Sequence, residues 1–148
     1  MGLFDQVFNA PENQQASLTT AEAFAAICLV AIAADGYLSE QENTEMRLLL
    51  NRMKLFSDYS NERLERTKDQ LLNRLKQHGP GALVEAAKAV LPRDLASTAF
   101  AIATDLVLAD GTVTIQEQAF LDDLYRILEI SADQALKIVE VITLKNQG

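Results

Sequence analysis

The chain has 148 residues, 49% of them hydrophobic, and 21 acidic against 13 basic side chains give it a net charge of −8. That length and apolar content suffice for one domain with a sizeable core, and the acidic balance argues against nucleic acid, whose phosphates require a basic face. Cys28 is the one cysteine. It excludes an intramolecular disulfide, and its setting in Ile27-Cys28-Leu29-Val30 fits a small buried hydrophobe in a reducing cytoplasm.

Residues 1–17 form a flexible or docking leader, in which Leu3, Phe4, Val7 and Phe8 stand at helical spacing before a polar linker with Pro11. The leader packs on its own domain or against a partner or membrane surface. Residues 18–148 form the domain proper. Thr19-Thr20-Ala21-Glu22 is a capping signature, and the helix it opens is apolar on all faces as far as Ala34, so it should be central. The run Ala23 to Ala34 is shorter than the ~20 residues of a membrane span. A helix from Ser39 should bury Met46, Leu49, Leu50 and Met53 and end near Leu55.

Asp58 or Ser60 caps a charged helix through about Gln77, with Leu64, Leu71, Leu72 and Leu75 inward and Arg63, Arg66, Lys68, Arg74 and Lys76 outward. This is the most basic strip of an acidic chain, a solvated face or a surface for an acidic partner or anionic lipid heads. His78, before Gly79-Pro80-Gly81, suits a helix end better than a metal site. Pro80 opens a short helix, Ala82 to Leu91, and Pro92 the next, Arg93 to Ala109. In that helix Asp94, Thr98 and Asp105 lie within about 40° of one another on one stripe. An unpaired Asp105 would be costly in its apolar surroundings; a metal ion, a basic side chain or exposure in a groove would each remove the difficulty. A helix after Thr114 directs Phe120, Leu121, Leu124, Tyr125 and Leu128 inward, and Ser131-x-x-Gln134 caps the final helix through Lys145. The pattern predicts an all-α, single-domain bundle of about seven helices.

One motif is written twice. Ala34-Asp35-Gly36-Tyr37-Leu38-Ser39-Glu40-Gln41-Glu42 returns as Ala109-Asp110-Gly111-Thr112-Val113-Thr114-Ile115-Gln116-Glu117 at an ungapped offset of 75 residues, Asp35 to Asp110. The repeat predicts two duplicated helix-loop-helix units. Each glycine can end a helix in the left-handed conformation, and Ser39-x-x-Glu42 and Thr114-x-x-Glu117 read as capping boxes. The aspartates remain. A carboxylate at a helix C-terminus is unfavourable by roughly 0.3–1 kcal/mol, so Asp35 and Asp110 either fold back as Asx-turns or serve a ligand. Asp-Gly-x-Leu/Val-x-x-x-Glu also matches the second half of an EF-hand loop, but Ala31, Ala33, Leu106 and Leu108 stand where its first ligands belong.

The doubled Ala-Asp-Gly-x-Leu/Val-Ser/Thr-x-x-Glu, each copy after an apolar helix, resembles the tellurite-resistance TerB family over roughly residues 18–145. The resemblance implies an all-helical domain built by duplication, an acidic cluster binding divalent metal, and bacterial stress-response complexes in the cytoplasm at the inner face of a membrane; it does not imply an enzyme. In such a module Asp35, Glu42, Asp105, Asp110 and Glu117 would offer oxygens to Mg²⁺, Ca²⁺ or Mn²⁺. The alternative is a metal-free helical adaptor that docks other proteins. No organic cofactor is expected, and no serine-histidine-acid set or phosphate loop suggests catalysis.

Overall fold

The computed structural model describes residues 17–34, 36–109 and 111–147. Helix α1, Thr20–Ala33, opens on the expected capping box: Thr19 Oγ1 accepts from the Glu22 amide at 3.1 Å, and Glu22 Oε1 accepts from the Thr19 amide at 2.8 Å. With no polar face of its own, α1 is buried on nearly every residue from Ala21 to Ala33, and the other helices assemble around it.

Helix α2, Glu40–Asn51, buries Met46 and Leu50 but stops short of Leu55. Met53 is extended and a 3₁₀ turn, Lys54–Phe56, follows. The turn buries Phe56, on which the Tyr59 ring packs edge-on at 5.1 Å, with the Arg63 guanidinium 4.0 Å over that ring.

Helix α3, Asn61–Val90, starts at the Ser60 cap and comprises the two helical stretches expected over 60–77 and 82–91, the second following the first with a break of one residue. Its backbone is non-helical at Gly79, with φ 86° and ψ 165°. The Pro80 ring then presets a helical φ, so the break is a one-residue kink, not a loop. The described residues hold six α-helices, the third of them broken at Gly79, and one 3₁₀ turn. Lys68 departs from the expected outward strip: its side chain is 14% exposed and its ammonium pairs with Glu65. That ion pair, with Arg47 beside it, holds the Glu65 carboxyl below its usual range.

Helix α4, Arg93–Leu108, follows Pro92 and packs on α1; α5, Ile115–Ile127, and α6, Ala132–Lys145, complete the bundle. The end of α5 carries no glycine. Glu129 instead takes the left-handed conformation, φ 60°, and the Ile130 amide donates to the Tyr125 carbonyl at 2.9 Å. The Glu129 carboxylate faces Lys88 at 3.6 Å and Arg93 at 3.5 Å, joining the ends of α3, α4 and α5. One contiguous apolar core draws residues from all six helices. Among the described residues there is no strand, and no helix is long and apolar enough to cross a membrane. The leader expected over residues 1–17 lies outside the described residues except for Ser17.

Cys28 sits at the centre of α1 with no exposed surface, and burial pushes its thiol up to about 12. At pH 8 a disulfide reagent should leave native Cys28 unmodified and react at once after denaturation, followed by thionitrobenzoate release. Equal rates in the two states would place the residue at the surface.

Candidate functional site

The two loops have the same local build. Helix α1 ends at Ala33 and α4 at Leu108, while α2 begins at Glu40 and α5 at Ile115, both pairs at the 75-residue offset of the motif. The Gly36 amide donates to the Ala33 carbonyl at 2.8 Å and the Gly111 amide to the Leu108 carbonyl at 3.0 Å. The glycines have φ 86° and 78°, in the left-handed region where a Cβ is disfavoured. Leu38 and Val113, two residues beyond, pack against the core and fix the chain before the next helix.

Both capping boxes are formed. Ser39 Oγ accepts from the Glu42 amide at 3.1 Å, and Glu42 Oε1 accepts from the Ser39 amide at 3.1 Å. Thr114 Oγ1 and Glu117 repeat the exchange at 3.1 and 2.9 Å. One oxygen of each predicted glutamate ligand is thus engaged in ending its own loop. A carboxylate oxygen has two lone pairs and its twin has two more, so capping does not exhaust either group.

The loops differ in what covers them. A Cβ at Gly36 would lie 3.0 Å from Lys76 Cγ on α3, whereas one at Gly111 would meet nothing within 4 Å among the described residues. The aliphatic stem of a residue from the basic strip therefore lies against the first loop, and among the described residues nothing lies so close to the second. Gly111→Ala should cost about 1–2 kcal/mol through its φ alone. Gly36→Ala should cost more in urea unfolding, and Lys76→Ala should bring that cost down to the Gly111 value. An equal cost for both glycines in the parent chain would show that Lys76 gives way freely.

Asp105 is answered from the far end of the sequence. Its side chain is 13% exposed, and Oδ1 accepts from Lys145 Nζ and from Asn146 Nδ2, each at 3.2 Å. The basic side chain, one of the three remedies open to this half-buried carboxylate, is in place. Asp105 thereby ties the last turn of α6 to α4. Asp35 and Asp110 lie outside the described residues. Among the described residues Glu42, Asp105 and Glu117 are not brought into one group of three that could hold a metal ion. His78 is exposed at the kink of α3 and belongs to no such group among the described residues. The sequence pattern did not reveal Lys76 against Gly36 or Lys145 on Asp105, because both are long-range pairings of ordinary surface residues.

A family model described as tellurite resistance protein TerB matches residues 21–139, from the first turn of α1 into α6. Comparison with curated proteins and with solved structures yields no match. The match takes in both Asp-Gly loops, both capping boxes and most of the core helices, and on that extent the chain belongs to the tellurite resistance protein TerB family.

Proposed function

We propose that this TerB-family chain works by binding, not by catalysis, as two duplicated helix-loop-helix units that take up a divalent cation at their Asp-Gly loops and hold partners of a bacterial stress-response complex of the tellurite-resistance type. The observation that supports the cation is the repeated loop geometry. In each copy a left-handed glycine is followed six residues later by a glutamate held in the first turn of a helix, Gly36 to Glu42 and Gly111 to Glu117. That is the turn and the terminal acidic ligand of a calcium loop, with an aspartate beside the glycine in both. Glu42, Glu117, Asp35 and Asp110 would hold Mg²⁺, Ca²⁺ or Mn²⁺, hard ions that prefer oxygen, and Asp105 would join them on release from Lys145. The acidic balance of the chain suits a cation or a basic partner, and the cytoplasmic place at the inner membrane face rests on the family resemblance. Titration calorimetry with each ion tests the reading.

The hydrogen bonds of the same residues favour a second reading, a metal-free adaptor. Glu42 and Glu117 already serve caps, and Asp105 already has a lysine. Under that reading affinity purification from the native host recovers the same partners with and without a chelator. Under the first, chelation releases them.

A further inference from the structure

The cations of this acidic chain are gathered in one stretch. Eight of its 13 lysines and arginines fall between Arg47 and Lys76 together with four of its 21 acids, a local balance of +4 against −12 for the rest. Three of the eight are engaged within the fold: Arg47 and Lys68 pair with Glu65, and the stem of Lys76 lies against the first loop. Along α3 the charges are sorted by side. At 100° per residue Arg63, Arg66, Gln70 and Arg74 lie within about 80° of one another with no acid among them, while Glu62, Glu65 and Asp69 make a separate stripe about 60° wide. Arg63 and Arg66 are exposed, and neither forms an ion pair among the described residues. Arg63 is nonetheless held in place. Its guanidinium stacks on Tyr59, which packs on the buried Phe56, and stacking occupies the face of the group and not its N–H edge.

We propose that this arginine stripe docks a short acidic segment of a partner protein, an extended run rich in Asp and Glu whose carboxylates pair with Arg63, Arg66 and Arg74. The stripe runs about 16 Å from Arg63 to Arg74, the length of about five extended residues. Guanidinium forks match carboxylates edge to edge, and with Gln70 between them they offer donors without a competing acid. The charge of the rest of the chain selects the size of the occupant. A bilayer of anionic lipid or a nucleic acid duplex extends far past the stripe and is repelled by the −12 carried around it, whereas a short segment stays within roughly a Debye length of the arginines, about 8 Å at physiological ionic strength. A lipid surface also finds no anchor, since none of the exposed large apolar side chains among the described residues is on α3 or the 3₁₀ turn before it. The inference does not depend on the cation, and it gives the cation and adaptor readings alike a surface for an acidic partner.

Fluorescence anisotropy on the full chain tests it, with a labelled peptide of about ten glutamates as the probe at low and physiological salt. The expected result is binding that weakens with salt and that shifts the backbone amide resonances of residues 61–77 but not those of residues 132–145. Arg63→Glu with Arg66→Glu should weaken binding about tenfold or more, and Arg126→Glu with Lys137→Glu, the same change of net charge at exposed positions on α5 and α6, by less than about threefold. Arg66→Gln alone, at an exposed position where the fold is not at risk, should still weaken it about threefold. Equal losses from the two charge-reversal pairs would reduce the effect to net charge and overturn the proposal. So would phosphatidylserine vesicles that bind the chain where the peptide does not, or a low-salt self-association that Arg63→Glu with Arg66→Glu abolishes, which would give the stripe to lipid or to the acidic surface of a second copy. Absence of peptide binding at low salt would overturn it as well.

Discussion

Phe24→Ala should lower the free energy of unfolding by about 3–5 kcal/mol, a large share of the roughly 5–15 kcal/mol that holds such a domain folded. Phe24 has no exposed surface and stands in the first half of α1, the helix that α3 and α4 pack against. Removing its ring leaves a void that neighbours on several helices would have to close together, so relaxation is limited and the cost falls at the upper end for an aromatic truncation. Leu48→Ala, at an exposed position on α2, should change stability by no more than about 0.5 kcal/mol. Urea midpoints for the two variants measure the contrast, with an unchanged denaturant slope showing that the unfolded state is not responsible. A Phe24→Ala cost below 1 kcal/mol would mean that α1 is not the axis of the bundle.

That axis was legible because it depends on local signals. Thr19 and Glu22, Ser39 and Glu42, and Thr114 and Glu117 each specify a helix start within four residues, and all three boxes form with the hydrogen bonds their spacing implies. The unbroken apolar run of α1 could only be buried. Helix ends were less legible, since the end of α2 at Asn51 is set by a turn that buries Phe56, a tertiary demand. The break at Gly79 was legible because glycine can leave the helical conformation and the proline after it presets the next helical φ. The candidate site was legible as a repeated motif but not as an arrangement. Which acid meets which base depends on contacts across some forty residues, such as Asp105 with Lys145, and no local pattern records them. Glu129 in a glycine conformation is the converse case. Its φ is tolerated where Lys88 and Arg93 meet its carboxylate, and the sequence carries no sign of it.

A divalent ion at one hundred times its dissociation constant should stabilise the folded chain by about 2.7 kcal/mol, a rise of roughly 5–10 °C in the thermal midpoint for a domain of this length. The gain follows from binding to the folded state alone, because unfolding separates loops that are 75 residues apart in sequence. Asp35→Asn with Asp110→Asn should abolish the gain while leaving the ion-free protein at least as stable, since asparagine suits the end of a helix better than a carboxylate does. Glu42→Gln with Glu117→Gln separates the two duties of the glutamates: the amide oxygen of glutamine can still accept from the Ser39 and Thr114 amides and keep the caps, but the ligand charge is gone. Stability without ion should therefore hold within about 1 kcal/mol while affinity falls. Lys145→Gln decides the part of Asp105. If that carboxylate joins the ion, removing the competing ammonium 3.2 Å away should tighten binding, and Asp105→Asn should weaken it. If neither substitution alters the affinity, Asp105 belongs to the α4–α6 tie alone and the ion is held by the loops. Absence of both binding heat and midpoint shift at millimolar Mg²⁺, Ca²⁺ and Mn²⁺ would remove the cation and leave the adaptor, with Glu42 and Glu117 acting as helix caps and nothing more.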